Sequence, residues 1–235
     1  MGRAFEFRKA RKMKRWGNMS RMFTKYGRDI AMAVKSGGPS LDGNSRLRAI
    51  VQSARGDNMP KDNIERAIKN ASDKSSADFK ELVYEGKGPS GIAILVETAT
   101  DNPTRTVANL RVIFNRNGGT LGNSGSIDFL FDRKCRFKIA NSNINVEELE
   151  FELIDFGAEE ASEDEDGIVI YGEFESFGSI QKFLEEKGYQ IITAEFERIP
   201  NDTKELTAEQ QEEVYKIVEK LEEDDDVQNV YTTMA

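Results

Sequence analysis

The chain has no histidine and one cysteine, Cys135, among 235 residues. Without imidazole it lacks the commonest general base and the commonest transition-metal ligand, which excludes Ser-His or Cys-His nucleophiles and ordinary zinc sites. A lone cysteine forms no intramolecular disulfide, fits a reducing compartment, and ordinarily serves as a small core hydrophobe. No stretch reaches the roughly 18 consecutive apolar residues of a membrane span. Charges stand where a signal peptide has its apolar core, and Glu6 speaks against reading the basic stretch Met1 to Arg15 as a transit peptide. The expectation is a cytoplasmic protein with no membrane partner.

What is present is enough to fold. An apolar fraction of 38% with 32% charged residues lies near the globular norm. The length exceeds a usual domain of about 100 to 150 residues, so two or three domains are expected. The net charge of −9 conceals a polarity. Residues 1 to 80 hold 19 Lys or Arg against 8 Asp or Glu, and the remainder holds 14 against 34. Clustered cations release condensed counterions from nucleic-acid phosphates, so the basic part points to a polyanion partner while the acidic body is repelled by it. The alternative is that the two parts attract and pack against each other.

Arg8, Arg11, Lys12 and Arg15 fall at helical spacing, with Lys9 and Lys14 beside them. Like charges so placed cost a helix a few tenths of a kcal/mol per pair, a cost that an anionic ligand offsets. Trp16 and Phe23 flank the stripe and can stack on bases or join a core. Met22, Tyr26, Ile30 and Ala33, with Phe23 and Val34, predict a helix over 20–34. Asn44 caps a second helix that buries Leu47, Ile50, Val51 and Ala54 and closes at Asn58-Met59. Pro60 opens a third, with Ile64, Ala67 and Ile68 on its apolar side. After a polar linker over 72–78, Ile92 to Thr98 reads as a buried strand, Thr104 to Asn117 as a helix and Ile127 to Phe131 as a strand. From Cys135 to Arg198 the order is β-α-β-β-α-β. A last helix over 208–223 and a strand over 227–233 complete the sheet begun near residue 80.

The expected fold is α+β multidomain: an N-terminal three-helix domain followed by two α/β, ferredoxin-like domains, the second inserted into the first. The boundaries expected are 1–78 for the helical domain, 79–133 with 200–235 for the discontinuous one, and 134–199 for the insert.

Two glycine-rich segments, Gly86 to Gly91 and Asn117 to Gly125, match neither the Walker spacing nor the strand-loop-helix order of phosphate-binding loops, and read as tight turns. The acidic runs at 159–166 and 222–226 read as solvated turns; no spacing fixes a ligand geometry for Mg²⁺ and no nucleophile pairs with them. Neither catalysis, a cofactor nor a small-molecule substrate is expected. A carboxylate-dependent metal enzyme is the remote alternative.

Asn58-Met59-Pro60-Lys61-Asp62-Asn63-Ile64-Glu65-Arg66-Ala67-Ile68 resembles the signature of the YebC/PmpR family. So do Tyr84-Glu85-Gly86 with Gly88-Pro89, Thr100-Asp101-Asn102 with Arg105-Thr106, Asn117-Gly118-Gly119 with Leu121-Gly122, and the segment Asp226 to Tyr231. The resemblance implies a helical N-terminal domain and two α/β domains, no enzymatic activity, and DNA-binding regulation of transcription, with mitochondrial and some bacterial relatives acting in translation at the ribosome. This chain departs at Gly2-Arg3-Ala4-Phe5-Glu6, where the family commonly begins Gly-His-Ser-Lys-Trp, so Arg3 and Arg8 must serve instead if that opening meets nucleic acid. The match returns at Phe23-Thr24-Lys25.

The candidate phosphate contacts are therefore Arg3, Arg8, Lys9, Arg11, Lys12, Lys14, Arg15, Arg21, Lys25 and Arg28. Arg46, Arg48, Arg55 and Lys61 follow in second rank. The partner expected is DNA, or ribosomal RNA within the ribosome.

Overall fold

The computed structural model describes residues 19–73, 78–141, 144–164 and 166–235. Among them the chain forms seven α-helices and two four-stranded antiparallel sheets, an α+β multidomain arrangement. Three helices come first: α1 (Met19–Gly37), α2 (Ser45–Gly56) and α3 (Lys61–Ala71). Asn44 caps α2 by accepting from the Leu47 amide. Asn58 closes it from the left-handed region at φ 62°, where Met59 N–H donates back to Ala54. Ile64 is buried in α3, whereas Ala67 and Ile68 are only half-buried.

The first sheet has the order β3-β1-β2-β8, from β1 (Lys80–Lys87), β2 (Ala93–Thr100), β3 (Thr120–Leu121) and β8 (Val227–Thr232). Helices α4 (Pro103–Arg116) and α7 (Ala208–Glu222) cover one face, where Ile94, Val96, Leu110, Phe114, Val214 and Ile217 form the core. Ala93, Leu95 and Tyr231 pack with Ile127 and Phe131 on the other face. Strand β2 is thus buried on both sides, which is why it opens on the apolar run Ala93–Val96.

The second sheet comprises β4 (Phe131–Ile139), β5 (Ala158–Asp164), β6 (Gly167–Glu173) and β7 (Ile191–Pro200) in the order β5-β6-β4-β7. With α5 (Val146–Ile154) and α6 (Phe177–Glu186) this is the ferredoxin-like arrangement. Its core joins Phe137, Ile139, Leu149, Leu153, Ile170 and Leu184.

Among the described residues, 19–28, 78–132 and 199–235 form one compact unit by backbone proximity, and 29–73 with 133–198 form another. In the second unit Ala49 of α2 joins the ferredoxin-like core. The Ser53 hydroxyl donates to Ala194 O (3.1 Å) and accepts from Ala194 N–H (2.9 Å), which ties α2 to β7.

One sequence expectation is corrected. Ile127 to Phe131 is not a strand: a 3-10 turn spans Asp128–Leu130 and β4 begins at Phe131. The cause is Glu85, whose carboxylate accepts from the amides of Gly125 (2.5 Å), Ile127 (2.6 Å) and Asp128 (3.2 Å), so these donors are unavailable to a strand ladder. Strand β1 was hidden because its charges interrupt any alternation of apolar residues.

Candidate nucleic-acid interface

Seven of the candidate cations, Arg3, Arg8, Lys9, Arg11, Lys12, Lys14 and Arg15, lie outside the described residues, as does Trp16. The others divide by what they touch. Arg21, Lys25 and Arg28 recur at i, i+4 and i+7 on α1, so they share one side of the helix. That side addresses the C-terminal segment of the same unit. Lys25 Nζ donates to Gln228 O (3.1 Å). Arg28 donates to Ala99 O (2.6 Å) and to Asp226 Oδ1 (2.7 Å), and its guanidinium lies 5.1 Å from the centre of the Phe79 ring. Arg21 is near enough to the Lys220–Glu223 pair to influence both charges.

Asp226 is the centre of this arrangement and corrects a second reading. As the last residue of the run 222–226 it was expected in a solvated turn, yet its side chain is only 3% exposed. Besides Arg28 it receives Arg105 Nη2 (2.9 Å) and the Thr106 hydroxyl (2.7 Å), and the Thr100 hydroxyl lies 3.3 Å away. Burial by itself would raise the carboxyl pKa; the bonds from Thr106, Arg105 and Arg28 overcome that and hold it below its ordinary value. The motifs Thr100-Asp101-Asn102, Arg105-Thr106 and Asp226-Val227 thus converge on one ion-pair cluster. Spacing could not reveal this, because Asp226 lies about 120 residues from Arg105 and Thr106. The one available signal was an apolar strand starting directly after the acidic run, which brings the run's last residue under the sheet edge.

Glu85 is the second buried carboxylate. Burial opposes its ionisation, but the amides of Ile127, Gly125 and Asp128 and the Ser126 hydroxyl hold its pKa below the ordinary value. The glycine-rich segments form tight turns: Gly91, Gly118 and Gly125 have φ of 74°, 72° and 79°, and Gly125 lies in the loop that holds Glu85.

In the other unit, Arg48 donates to Glu185 Oε1 (2.9 Å) and to Leu41 O (2.7 Å), and is committed to tertiary structure. Arg46 and Arg55 of α2 are exposed. Lys61 is exposed at the start of α3, 3.5 Å from Glu65 one turn on. Surface cations of this kind suit electrostatic positioning on phosphates rather than base reading. Cys135 is buried, and burial pushes its thiol up to about 12, which leaves it unreactive. No helix among the described residues is long and apolar enough to cross a membrane.

A helical N-terminal segment followed by two α/β sheets is the pattern of a known family. Residues 3–74 match the TACO1/YebC protein N-terminal domain, and residues 79–234 match the TACO1/YebC second and third domain. The chain belongs to the TACO1/YebC family. It is 62% identical over 234 residues to a probable transcriptional regulatory protein of Flavobacterium johnsoniae, covering 100% of this chain and 99% of that one. A protein of the same name from Parabacteroides distasonis is 62% identical over 235 residues, covering 100% and 97%. The crystal structure of conserved hypothetical protein Aq1575 from Aquifex aeolicus superposes with a TM-score of 0.79 at 35% identity, covering 93% of this chain and 91% of that one.

Proposed function

We propose that the protein is a non-enzymatic regulator of gene expression that grips nucleic acid through its basic N-terminal part. The observation that carries this reading is the charge polarity: 19 cations against 8 carboxylates in residues 1 to 80, and 14 against 34 beyond. Relatives named as probable transcriptional regulatory proteins support it and favour DNA as the polymer. Contacts are assigned to Arg3, Arg8, Lys9, Arg11, Lys12, Lys14 and Arg15, with Arg46, Arg55 and Lys61 as further exposed cations. Arg28 and Arg48, held by Asp226 and Glu185, support the fold instead. Grip of this kind is sequence-tolerant and sensitive to salt. The proposed location is the cytoplasm, beside the polymer.

Fluorescence anisotropy of the full chain with duplex DNA and with a ribosomal RNA fragment, across a salt series, tests the proposal. Replacing Arg8, Arg11, Lys12 and Arg15 by Gln should weaken binding on every sequence and flatten the log-log salt slope by about 0.9 per lost duplex contact. An unchanged slope would count against the reading. Preference for the RNA fragment, with DNase-resistant co-sedimentation with ribosomal particles, would move the activity from transcription to translation.

A further inference from the structure

In the ferredoxin-like part, helix α5 turns two apolar side chains to solvent. Phe151 is 78% exposed and Ile154 57% exposed, and their i, i+3 spacing puts them on one side of the helix. Phe156, 37% exposed, continues the patch and stacks on Phe183 with ring centres 4.7 Å apart. An open groove begins there, lined by Ile154, Phe156, Glu159, Glu173 and Ser176. Beside it runs β5, at the end of the sheet order, so its outer backbone groups have no neighbouring strand among the described residues.

The rim of this patch is acidic. Glu152 is answered by Lys187 (2.8 Å) and Glu159 by Lys134 (2.5 Å). Glu147, Glu148, Glu150, Asp155, Glu160 and Glu163 pair with no cation among the described residues. Charges on an edge strand guard it against pairing with other chains, and that accounts for Glu160 and Glu163 alone. It does not account for the solvent-facing phenylalanine on α5. Aromatic anchors at the centre of a charged rim are instead the anatomy of a protein-binding surface.

We infer that the α5–β5 surface docks a Lys/Arg-rich polypeptide segment that carries an aromatic or aliphatic anchor. The anchor sits among Phe151, Ile154 and Phe156, and the cations face the carboxylates of α5 and β5. The same carboxylates repel nucleic acid and anionic lipid. Basic protein tails are abundant wherever nucleic acid is packaged or translated, so such a surface would let the body recognise proteins on the polymer. The inference does not depend on what the N-terminal part binds.

The test uses the full chain and a labelled Lys/Arg-rich peptide with one Trp, compared with the same peptide carrying Ser in its place. The Trp peptide should bind more tightly. The double variant Phe151→Ser, Ile154→Ser should weaken it about tenfold or more while melting as the parent does, because both side chains are exposed. Replacing Glu150, Glu160 and Glu163 by Gln should weaken both peptides and lower the salt dependence. Nucleic-acid affinity, measured in parallel, should not move in either variant, so failure here and failure of the N-terminal grip are told apart. The inference is overturned if neither peptide binds, if the two bind equally, or if the apolar double variant binds like the parent. It is equally overturned if that variant loses only self-association in sedimentation, which would make the patch a contact between copies, or only attachment to neutral vesicles.

Discussion

Arg28 and Arg55 look equivalent in the sequence: both are cations of the basic N-terminal part, and both suit a phosphate contact. In the structure they belong to different kinds of site. Arg28 is 14% exposed and held by a buried carboxylate, whereas Arg55 is exposed to solvent. Arg48 goes with Arg28, and Arg46 with Arg55. A charge count therefore overstates the cations available to a ligand, because some of them answer carboxylates of the acidic body. Attraction between the parts engages Arg28 and Arg48, and leaves Arg55 exposed for the proposed polyanion contact.

The strongest way to break this division is to remove the carboxylate that defines it. Asp226→Ala leaves the Arg28 guanidinium buried without its counter-charge and should cost about 3 kcal/mol or more, read as a lower urea midpoint. Asp226→Asn keeps the shape and should cost less. A midpoint unchanged in the alanine variant would mean that the cluster is ornamental.

Gly86→Ala should come next, at about 2 kcal/mol, because a Cβ there would lie 2.5 Å from the Phe114 ring and 2.9 Å from Thr120 O. This loss involves no charge and should be insensitive to salt, which separates packing from ion pairing in the same unit.

Acid unfolding sharpens the comparison further. Asp226 and Glu85 are both held below their ordinary pKa values in the folded state. Their contribution is complete above the unfolded carboxylate values of roughly 4 and is lost as pH falls through the folded ones, since the unfolded chain takes up protons first. Asp226→Asn or Glu85→Gln should flatten the decline of stability below about pH 4. Equal slopes in variant and parent would contradict the assignment.

The smallest stability effects belong to the outward cations. Arg46→Gln with Arg55→Gln should change stability by less than about 0.5 kcal/mol, yet lower the salt slope of nucleic-acid binding by up to about 1.8 if both touch phosphate. Arg48→Ala should do the reverse, costing about 1 kcal/mol through Glu185 and the Leu41 carbonyl with little change in slope. If Arg48→Ala altered the slope as much as the outward pair, the division drawn here would fail.

Patterns local along the chain were legible without the structure. Helices α1 to α3 announced themselves by apolar spacing, by Asn44 as a cap and by Asn58 as a stop, because each signal acts within one or two turns. The β-α-β-β-α-β order was legible for the same reason. Strand β1 was not, because its charges break any apolar alternation, and the turn at 128–130 was not, because it depends on Glu85 meeting a loop about 40 residues away. The role of Asp226 was hidden in the same way, since its residue type and acidic neighbours are those of an ordinary turn.

The amino-acid sequence by itself determined the helical caps and stops, the β-α-β-β-α-β order of the second sheet and the sign of charge along the chain, all properties of composition or short-range spacing. Only the tertiary structure decided which charges meet. Coulomb attraction and desolvation depend on distances in space, and folding brought Arg28, Arg105 and Asp226 together while leaving Arg55 to solvent and Phe151 uncovered.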